Sequence, residues 1–165
     1  SNYSAFHHRS VFIEQMELTK FTSLDNIKGA LQVEFAIIEN ATFTDPYDQS
    51  AWWYHRFILN WMKTVLQGKG SSKSIILDTD TEFQQWCFDI LDHQIENMNA
   101  LMEEDPQCKW PIECLVALLR IKNELKLKEN DANADLVDDI KGLLVQLKCL
   151  DPQRSGRYDY LLEKK

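Results

Sequence analysis

Hydrophobic residues recur at intervals of three and four along this chain, a spacing that places them on one face of an α-helix. The pattern predicts six helices. They cover residues 4–19 and 25–42, begin at about 48 and about 79, and cover 111–128 and 136–150, and a short final turn follows. The one candidate strand, at 74–77, is too short to build a sheet. The sequence therefore predicts an all-α fold.

Residues that break helices are scarce in this sequence. It has five glycines and four prolines among 165 residues, of which 44% are hydrophobic. A chain of this length and composition predicts one globular helical domain over residues 1–165. The exception is the stretch 67–80, where glycine, serine and lysine residues offer little to bury. We interpret this stretch as an insertion between two helices.

Two elements of the sequence recur at a nearly fixed distance. Residues 3–9 align with 50–56, and in each segment an aromatic residue lies three positions before an arginine that follows a histidine. Asp-Pro pairs begin at Asp45, Asp105 and Asp151, and the longer interval between them exceeds the shorter by the length of the insertion. The underlying unit of about 46 residues is long enough for two helices and two turns. This repeat predicts stacked antiparallel helical hairpins, which together form an α-α superhelix.

The predicted repeats cover residues 1–42, 43–103 and 104–149, with a terminal turn at 150–165. Proline fixes the direction of the chain into a helix, and an aromatic residue one turn later packs between adjacent hairpins. An arginine on the same helix would reach a carboxylate or a helix end of the neighbouring repeat. The residues to which we assign this structural role are Phe6, Arg9, Pro46, Trp53, Arg56, Pro106, Trp110 and Pro152.

Charge and cysteine spacing exclude several classes of function. The formal net charge is −8, so the chain would repel nucleic acid and anionic lipid surfaces. No apolar run approaches the roughly 20 residues that cross a bilayer. We therefore expect a soluble cytoplasmic protein that binds neither nucleic acid nor membrane. The four cysteines form no C-x-x-C pair, which favours buried thiols over zinc ligands.

Two acidic clusters resemble parts of metal sites. Asp135, Asp138 and Asp139 share a helix face, as magnesium ligands would, and residues 78–82 contain three further carboxylates. Both sites are incomplete, because isoprenoid synthases need a second aspartate-rich helix and a calcium loop needs a glycine and a distant glutamate. Acidic residues at helix starts are stabilised by the helix dipole. We predict no metal site in this chain.

Four segments resemble the α subunits of protein prenyltransferases. Residues 2–9 are similar to the N-Y-x-x-W-x-x-R repeat of that family, with phenylalanine in place of the tryptophan. Residues 40–56, which read N-A-T-F-T-D-P-Y-D-Q-S-A-W-W-Y-H-R, resemble the corresponding segment of Rab geranylgeranyltransferase α subunits. Residues 104–110 and 151–154 resemble the later family elements E-P-x-N-K-W and D-P-x-R. The chain as a whole resembles the C-terminal half of these subunits.

The resemblance implies an αβ heterodimer, in which the β subunit holds the catalytic zinc and the lipid pocket and the α subunit is a scaffold. The implied enzyme transfers geranylgeranyl groups from geranylgeranyl diphosphate to C-terminal cysteines of Rab-type GTPases, with a Rab escort protein as a further partner. The resemblance implies no cofactor on this chain and no transferase activity for the segment alone. The residues that it assigns to the surface facing β are Asn2, Tyr3, His7, Trp52, Tyr54 and His55. Tyr3 is also the one candidate for a catalytic contact with the diphosphate.

Two alternatives stay open at this point. A helical-repeat adaptor similar to tetratricopeptide arrays would bind a peptide in its groove without a β subunit, although its unit of about 34 residues is shorter than this one. The α subunit of a farnesyl or type I geranylgeranyl transferase would have the same fold, but the block 44–56 favours the Rab branch. Co-purification with a β subunit distinguishes the adaptor from the enzyme subunit.

Overall fold

The computed structural model describes residues 2–19, 23–68, 81–128 and 133–164. These residues form α-helices and one turn of 3-10 helix, and no β-strand occurs among them. The helices are α1 (Asn2–Thr19), α2 (Leu24–Thr44), α3 (Gln49–Leu66), α4 (Thr81–Glu104), α5 (Lys109–Lys128), α6 (Ala134–Leu150) and α7 (Ser155–Glu163). The predicted all-α fold is confirmed. The strand pattern at 74–77 and most of the predicted insertion lie outside the described residues.

The chain divides into two compact units, residues 1–90 and 91–165. In the first unit, α3 packs against both α1 and α2. In the second unit, α6 packs against both α5 and α7. Each unit is therefore a small helical assembly with a central helix that contacts two others. The single domain and the repeat boundaries inferred from the sequence stay a prediction.

The three Asp-Pro pairs form the same turn. In each, the aspartate amide donates to the carbonyl four residues earlier, and the amide three residues later donates to the aspartate carbonyl. The first bond is 3.0 Å long at Asp45, 3.0 Å at Asp105 and 2.8 Å at Asp151. The side chains of Asp45 and Asp105 also accept a bond from the amide two residues later, at 3.0 and 3.1 Å. A short local motif therefore ends one helix and starts the next.

Local chemistry also sets where the helices begin. The sequence predicts that the third helix begins near residue 48, and Asp48 is the N-cap of α3. Its carboxylate accepts a hydrogen bond from the Ser50 amide at 3.0 Å. Ser23 and Asn133 cap α2 and α6 in a similar way. The fifth helix begins at Lys109, two residues earlier than the proline at which the sequence predicts its start. Helix ends are the least certain part of such predictions, because several neighbouring residues can serve as caps.

The core of the first unit follows the predicted hydrophobic stripes. On α2 the stripe consists of Ile27, Leu31, Phe35 and Ile38, all of them buried. On α3 the buried face includes Tyr54, Ile58, Met62 and Val65, each fully shielded from solvent. Burying a large apolar side chain stabilises the fold by about 1.5–3 kcal/mol relative to leaving it exposed. These two stripes hold α3 in place against its neighbours.

The end of the chain differs from its prediction. The sequence predicts only a short turn after Asp151, but the 3-10 turn Pro152–Arg154 leads directly into the nine-residue helix α7. Tyr158 explains the difference, because its ring is buried and its hydroxyl lies 2.8 Å from Glu113 Oε1 and 3.0 Å from Asp151 Oδ2. Lys109 completes the cluster with an ion pair of 2.6 Å to Asp151 Oδ2. These contacts anchor α7 to α5.

This cluster predicts a pH-dependent loss of stability. The hydrogen bond from Lys109, followed by that from Tyr158 and the charges of Lys109 and Arg154, holds the pKa of Asp151 below its ordinary value despite burial. Such a carboxylate contributes stability that is complete above the unfolded pKa of about 3.9 and is lost as pH falls through the folded pKa. We therefore expect Asp151→Asn to lower the free energy of unfolding by about 1 kcal/mol at pH 7 and by less at pH 3. Urea unfolding at both pH values measures the two losses, and equal losses would contradict this assignment.

The cysteines only partly follow their prediction. Cys87, Cys108 and Cys114 are buried, and burial raises the pKa of the Cys87 thiol to about 12. Cys149 is exposed, so the prediction of a buried thiol is wrong there. It lies near the end of α6, where the helix turns the residue away from the buried stripe that contains Leu144 and Leu147. All four cysteines are free thiols.

Candidate partner interface

Four aromatic rings form a continuous row on the surface of α1 and α3, which we call the aromatic row: His7, Tyr3, Trp53 and Phe57. The ring centroids are 6.1 Å apart from His7 to Tyr3, 6.0 Å from Tyr3 to Trp53 and 6.2 Å from Trp53 to Phe57. Tyr3 is 57% exposed and Trp53 is 40% exposed. Large aromatic side chains are usually buried in a folded protein or at an interface. A row with this much exposure is a candidate for contact with a partner.

A polar cleft adjoins the aromatic row at Tyr3. It has a volume of about 490 Å³ and is lined by Asn2, Tyr3, Asp45, Asp48, Gln49 and Ser50. We call it the acidic cleft, because two of these residues are carboxylates and none is basic. Asn2 Nδ2 donates to Asp48 Oδ2 at 2.7 Å, which connects the start of α1 to the turn before α3. Tyr3 belongs to both the cleft and the row, so the two features form one continuous surface.

Asp48 carries its negative charge at ordinary pH. Burial acts to raise the pKa of its carboxyl group, but hydrogen bonds from the Ser50 and Asn2 side chains and from the Ser50 amide together hold that pKa below its ordinary value. All of these donors are neutral. Among the described residues that line the cleft, two are carboxylates and none is basic, so this lining carries a net negative charge.

A partly buried hydrogen-bonded triad fixes the two helices that carry this surface. Arg9 on α1 donates to both carboxylate oxygens of Glu34 on α2, at 2.8 and 2.7 Å, and Tyr54 on α3 donates to Glu34 Oε2 at 2.6 Å. The bond to Glu34 raises the pKa of Arg9, and burial together with the same carboxylate raises the pKa of Tyr54. A bidentate arginine and carboxylate pair also fixes orientation. The triad therefore sets the positions of α1 and α3, and with them the aromatic row.

The structure places the predicted surface residues in two groups. Asn2, Tyr3 and His7 are exposed, so their predicted contact with a partner stays a prediction. Trp52, Tyr54 and His55 are buried, at 6%, 0% and 1% exposure, so the surface position expected of them is wrong. Trp52 donates to the Pro46 carbonyl at 2.8 Å, Tyr54 belongs to the triad, and His55 packs its ring edge against Phe35. Their side chains hold the first unit together.

The predicted structural residues also divide. Phe6 is buried and its ring lies 5.0 Å from that of Tyr54, between α1 and α3. Arg9 meets a carboxylate of another helix, as the sequence predicts. Trp53 was expected to be buried between hairpins, but this is wrong, because consecutive residues of a helix point about 100° apart and Trp52 takes the inward direction. Of the others, Pro46 and Trp110 are half-buried, and Arg56, Pro106 and Pro152 are exposed.

Sequence reasoning missed Glu34, which organises the first unit. This glutamate is 5% exposed and lies three residues after Leu31 and four before Ile38, on the buried stripe of α2. A carboxylate at an apolar position of a helical stripe requires a buried partner, since an unpaired buried charge is costly. That signal was present in the sequence. The partner, Arg9, lies 25 residues away, so pairing the two required the fold.

The described residues form no candidate metal-binding site. No three His, Cys, Asp or Glu side chains in that part of the chain converge on a point where a metal ion could bind. Asp138 forms an ion pair of 3.5 Å with Lys141, and Asp135 and Asp139 are exposed. Asp78 and Asp80 lie outside the described residues. Within the same part of the chain, no helix is both long enough and apolar enough to span a membrane.

Comparison with known proteins supplies the family. Residues 31–62 match the family model of the protein prenyltransferase alpha subunit repeat. The chain is 32% identical over 170 residues to the geranylgeranyl transferase type-2 subunit alpha of Schizosaccharomyces pombe. This match covers 99% of the chain and 46% of the relative. The chain belongs to the protein prenyltransferase α-subunit family. The protein of the same name in Saccharomyces cerevisiae is 31% identical, and the match covers 99% of this chain and 45% of the relative. The one in Dictyostelium discoideum is 27% identical, and the match covers 79% of this chain and 33% of the relative.

In this prenyltransferase α-subunit chain, the residues that match the family model lie within the α2–α3 hairpin. The matched residues include Glu34 and Tyr54 of the triad, the Asp45 turn and both Trp52 and Trp53. The matched model is a prenyltransferase α-subunit repeat, so it gives no support to the tetratricopeptide alternative. The chain spans about half the length of the first curated relatives that it matches.

Proposed function

We propose that this chain is part of the α-subunit scaffold of a Rab geranylgeranyltransferase, a cytoplasmic heterodimer that attaches geranylgeranyl groups to C-terminal cysteines of Rab-type GTPases. The observation that carries the proposal is similarity along 99% of the chain to two proteins named geranylgeranyl transferase type-2 subunit alpha, at 32% and 31% identity. Similarity of this extent, rather than a match to one motif, supports a shared role. The heterodimer's activity and partners, among them the Rab escort protein, belong to the proposal.

In this proposal the chemistry is divided between two subunits. The β subunit supplies a zinc ion that would favour the thiolate of the substrate cysteine and a pocket that holds geranylgeranyl diphosphate. The substrate sulfur forms a bond to the first carbon of the lipid, and the bond from that carbon to the diphosphate breaks. The role of the α chain is to hold the exposed surface of α1 and α3 in a fixed position against β. Tyr3 is exposed and on that surface, so it remains the one candidate for contact with the departing diphosphate.

Reconstitution tests this division. The native α chain that contains these residues, the β subunit of the same organism, and both together are each supplied with a Rab GTPase, Rab escort protein and labelled geranylgeranyl diphosphate. We expect label on the GTPase only when both subunits are present. Transfer by the α chain alone would overturn the proposal. So would full transfer by β alone, since a scaffold that the reaction does not need has no part in the enzyme.

A matched pair of variants sharpens this test. Tyr3→Phe removes only the hydroxyl of an exposed side chain, so the fold and the assembly with β are expected to be unchanged. If Tyr3 contacts the diphosphate, the variant lowers kcat by about tenfold, because a hydrogen bond present only in the transition state is lost. Activity equal to that of the native complex would instead restrict Tyr3 to the partner surface.

A further inference from the structure

We propose that the aromatic row and the acidic cleft together bind an arginine-bearing segment of the β subunit. This inference rests on the proposed function, because it takes the partner to be a prenyltransferase β subunit. It adds which kind of β-subunit side chain is bound, and which residues of this chain bind it. All of these residues belong to the first compact unit, and none of the six that line the cleft is basic.

The charge of the cleft selects a cationic occupant. Asp45 and Asp48 both line it, and the hydrogen bonds described for them come from neutral donors: the Tyr47 amide, the Asn2 side chain and Ser50. By contrast, the buried Glu34 of the same unit is already neutralised by Arg9. A partner that brings a positive charge to the cleft completes the pairing, and complementary charges of this kind fix the register of an interface.

The adjoining rings select arginine among the cations. Tyr3 forms the boundary between cleft and row, and Trp53 lies 6.0 Å from it with the two ring planes tilted by 47°. A guanidinium group is planar, so it can stack on an aromatic face while its N–H groups donate to a nearby carboxylate. A lysine ammonium is compact and strongly hydrated, so it benefits less from the stacking. Arginine and aromatic residues are also enriched where interfaces bury most of their binding energy.

The size of the surface fits one anchoring side chain together with the residues that flank it in the partner's sequence. A cleft of about 490 Å³ is open enough for a guanidinium and its stem, and the remainder of the row, from Trp53 to Phe57 and from Tyr3 to His7, offers apolar area for the flanking residues. The triad beneath holds both helices, so the surface is formed before the partner arrives. A preorganised site loses less conformational freedom on binding.

Binding of the α chain variants to the intact β subunit tests this proposal. Asp45→Asn with Asp48→Asn removes the charge but keeps the shape, and asparagine retains the capping role of Asp48. We expect this double variant to bind β about tenfold more weakly at about 0.1 M salt, with a smaller dependence on salt than the native chain. Trp53→Ala is expected to weaken binding by a similar factor. The matched controls, Glu14→Gln with Asp25→Asn and separately Val33→Ala, change exposed residues elsewhere in the unit and are expected to bind as the native chain does.

The outcomes separate this inference from the proposed function. If the native chain binds β and the charge variant binds equally well with the same salt dependence, the inference is wrong while the scaffold role stands. If the native chain does not bind β, the proposed function itself fails. Photocrosslinking provides an independent measurement: a benzoylphenylalanine at Gln49 is expected to crosslink to a β peptide that contains arginine. A crosslinked peptide without an arginine would overturn the inference.

Discussion

Replacing Trp52 with alanine is expected to lower the free energy of unfolding by about 3–5 kcal/mol, because it removes a buried indole and leaves a cavity. The indole N–H also donates to the Pro46 carbonyl at 2.8 Å, so the variant loses the bond that fastens α3 to the preceding turn. The same replacement at Trp53 is expected to cost about 1 kcal/mol, since that ring is 40% exposed and contributes chiefly its stacking with its neighbours. Urea unfolding followed by circular dichroism measures both losses.

The two tryptophans thus serve as controls for each other. They are adjacent and chemically identical, so a difference in stability between the variants reports the direction in which each side chain points. We expect only Trp53→Ala to weaken binding to β while the chain remains folded. Equal losses of stability, or a larger loss at Trp53, would contradict the orientation of α3 described here.

Replacing Glu34 with alanine is expected to destabilise the chain by about 2–4 kcal/mol. The change leaves the Tyr54 hydroxyl buried without its acceptor and Arg9 without its bidentate partner. The side chain of Arg9 is 38% exposed and can regain water, which keeps the loss below that of a fully buried pair. Glu34→Gln retains one acceptor oxygen and is expected to lose about half as much. Unfolding of both variants in urea, beside Glu14→Ala as an exposed control on α1, measures the effect.

A double-mutant cycle identifies the source of that loss. If Arg9 and Glu34 stabilise the chain through their mutual contact, the combined variant loses less stability than the two single variants together. Strictly additive losses would show that the two residues act independently. In that case the triad would not be what fixes α1 against α2.

Those parts of the fold that depend on local chemistry were predictable from the sequence. Each Asp-Pro turn is formed by bonds within four residues of the aspartate, so the three copies at 45, 105 and 151 are visible without any tertiary information. The stripe of α2 is equally local, because its phase is set by hydrophobic residues at helical spacing. The helices and their hairpin turns follow from these two patterns.

The candidate surface was predicted only in part, for two physical reasons. The prediction placed Trp52, Tyr54 and His55 on the partner surface and Trp53 between hairpins. In the structure, Trp53 shares a face with Arg56 and Asn60 at helical spacing, and those residues are exposed. Counting that phase would have placed Trp53 outside and Trp52 inside. The second reason is distance along the chain: Asn2 meets Asp48 across 46 residues, which no local pattern predicts.

The helix α7 illustrates the same limit. Its sequence is nine residues long and includes a glycine, so local propensity predicts little. Its single buried side chain is Tyr158, whose hydroxyl is held by carboxylates 7 and 45 residues away. Tertiary contacts therefore stabilise a helix that propensity alone would not.

Native mass spectrometry of the chain's natural gene product, purified gently from its own cells, tests the scaffold role most directly. The account predicts that the dominant species is a one-to-one complex with a prenyltransferase β subunit, and that this complex dissociates more readily when Trp53 is replaced by alanine. A chain recovered mainly free of β, although β is present in the same extract, would contradict it.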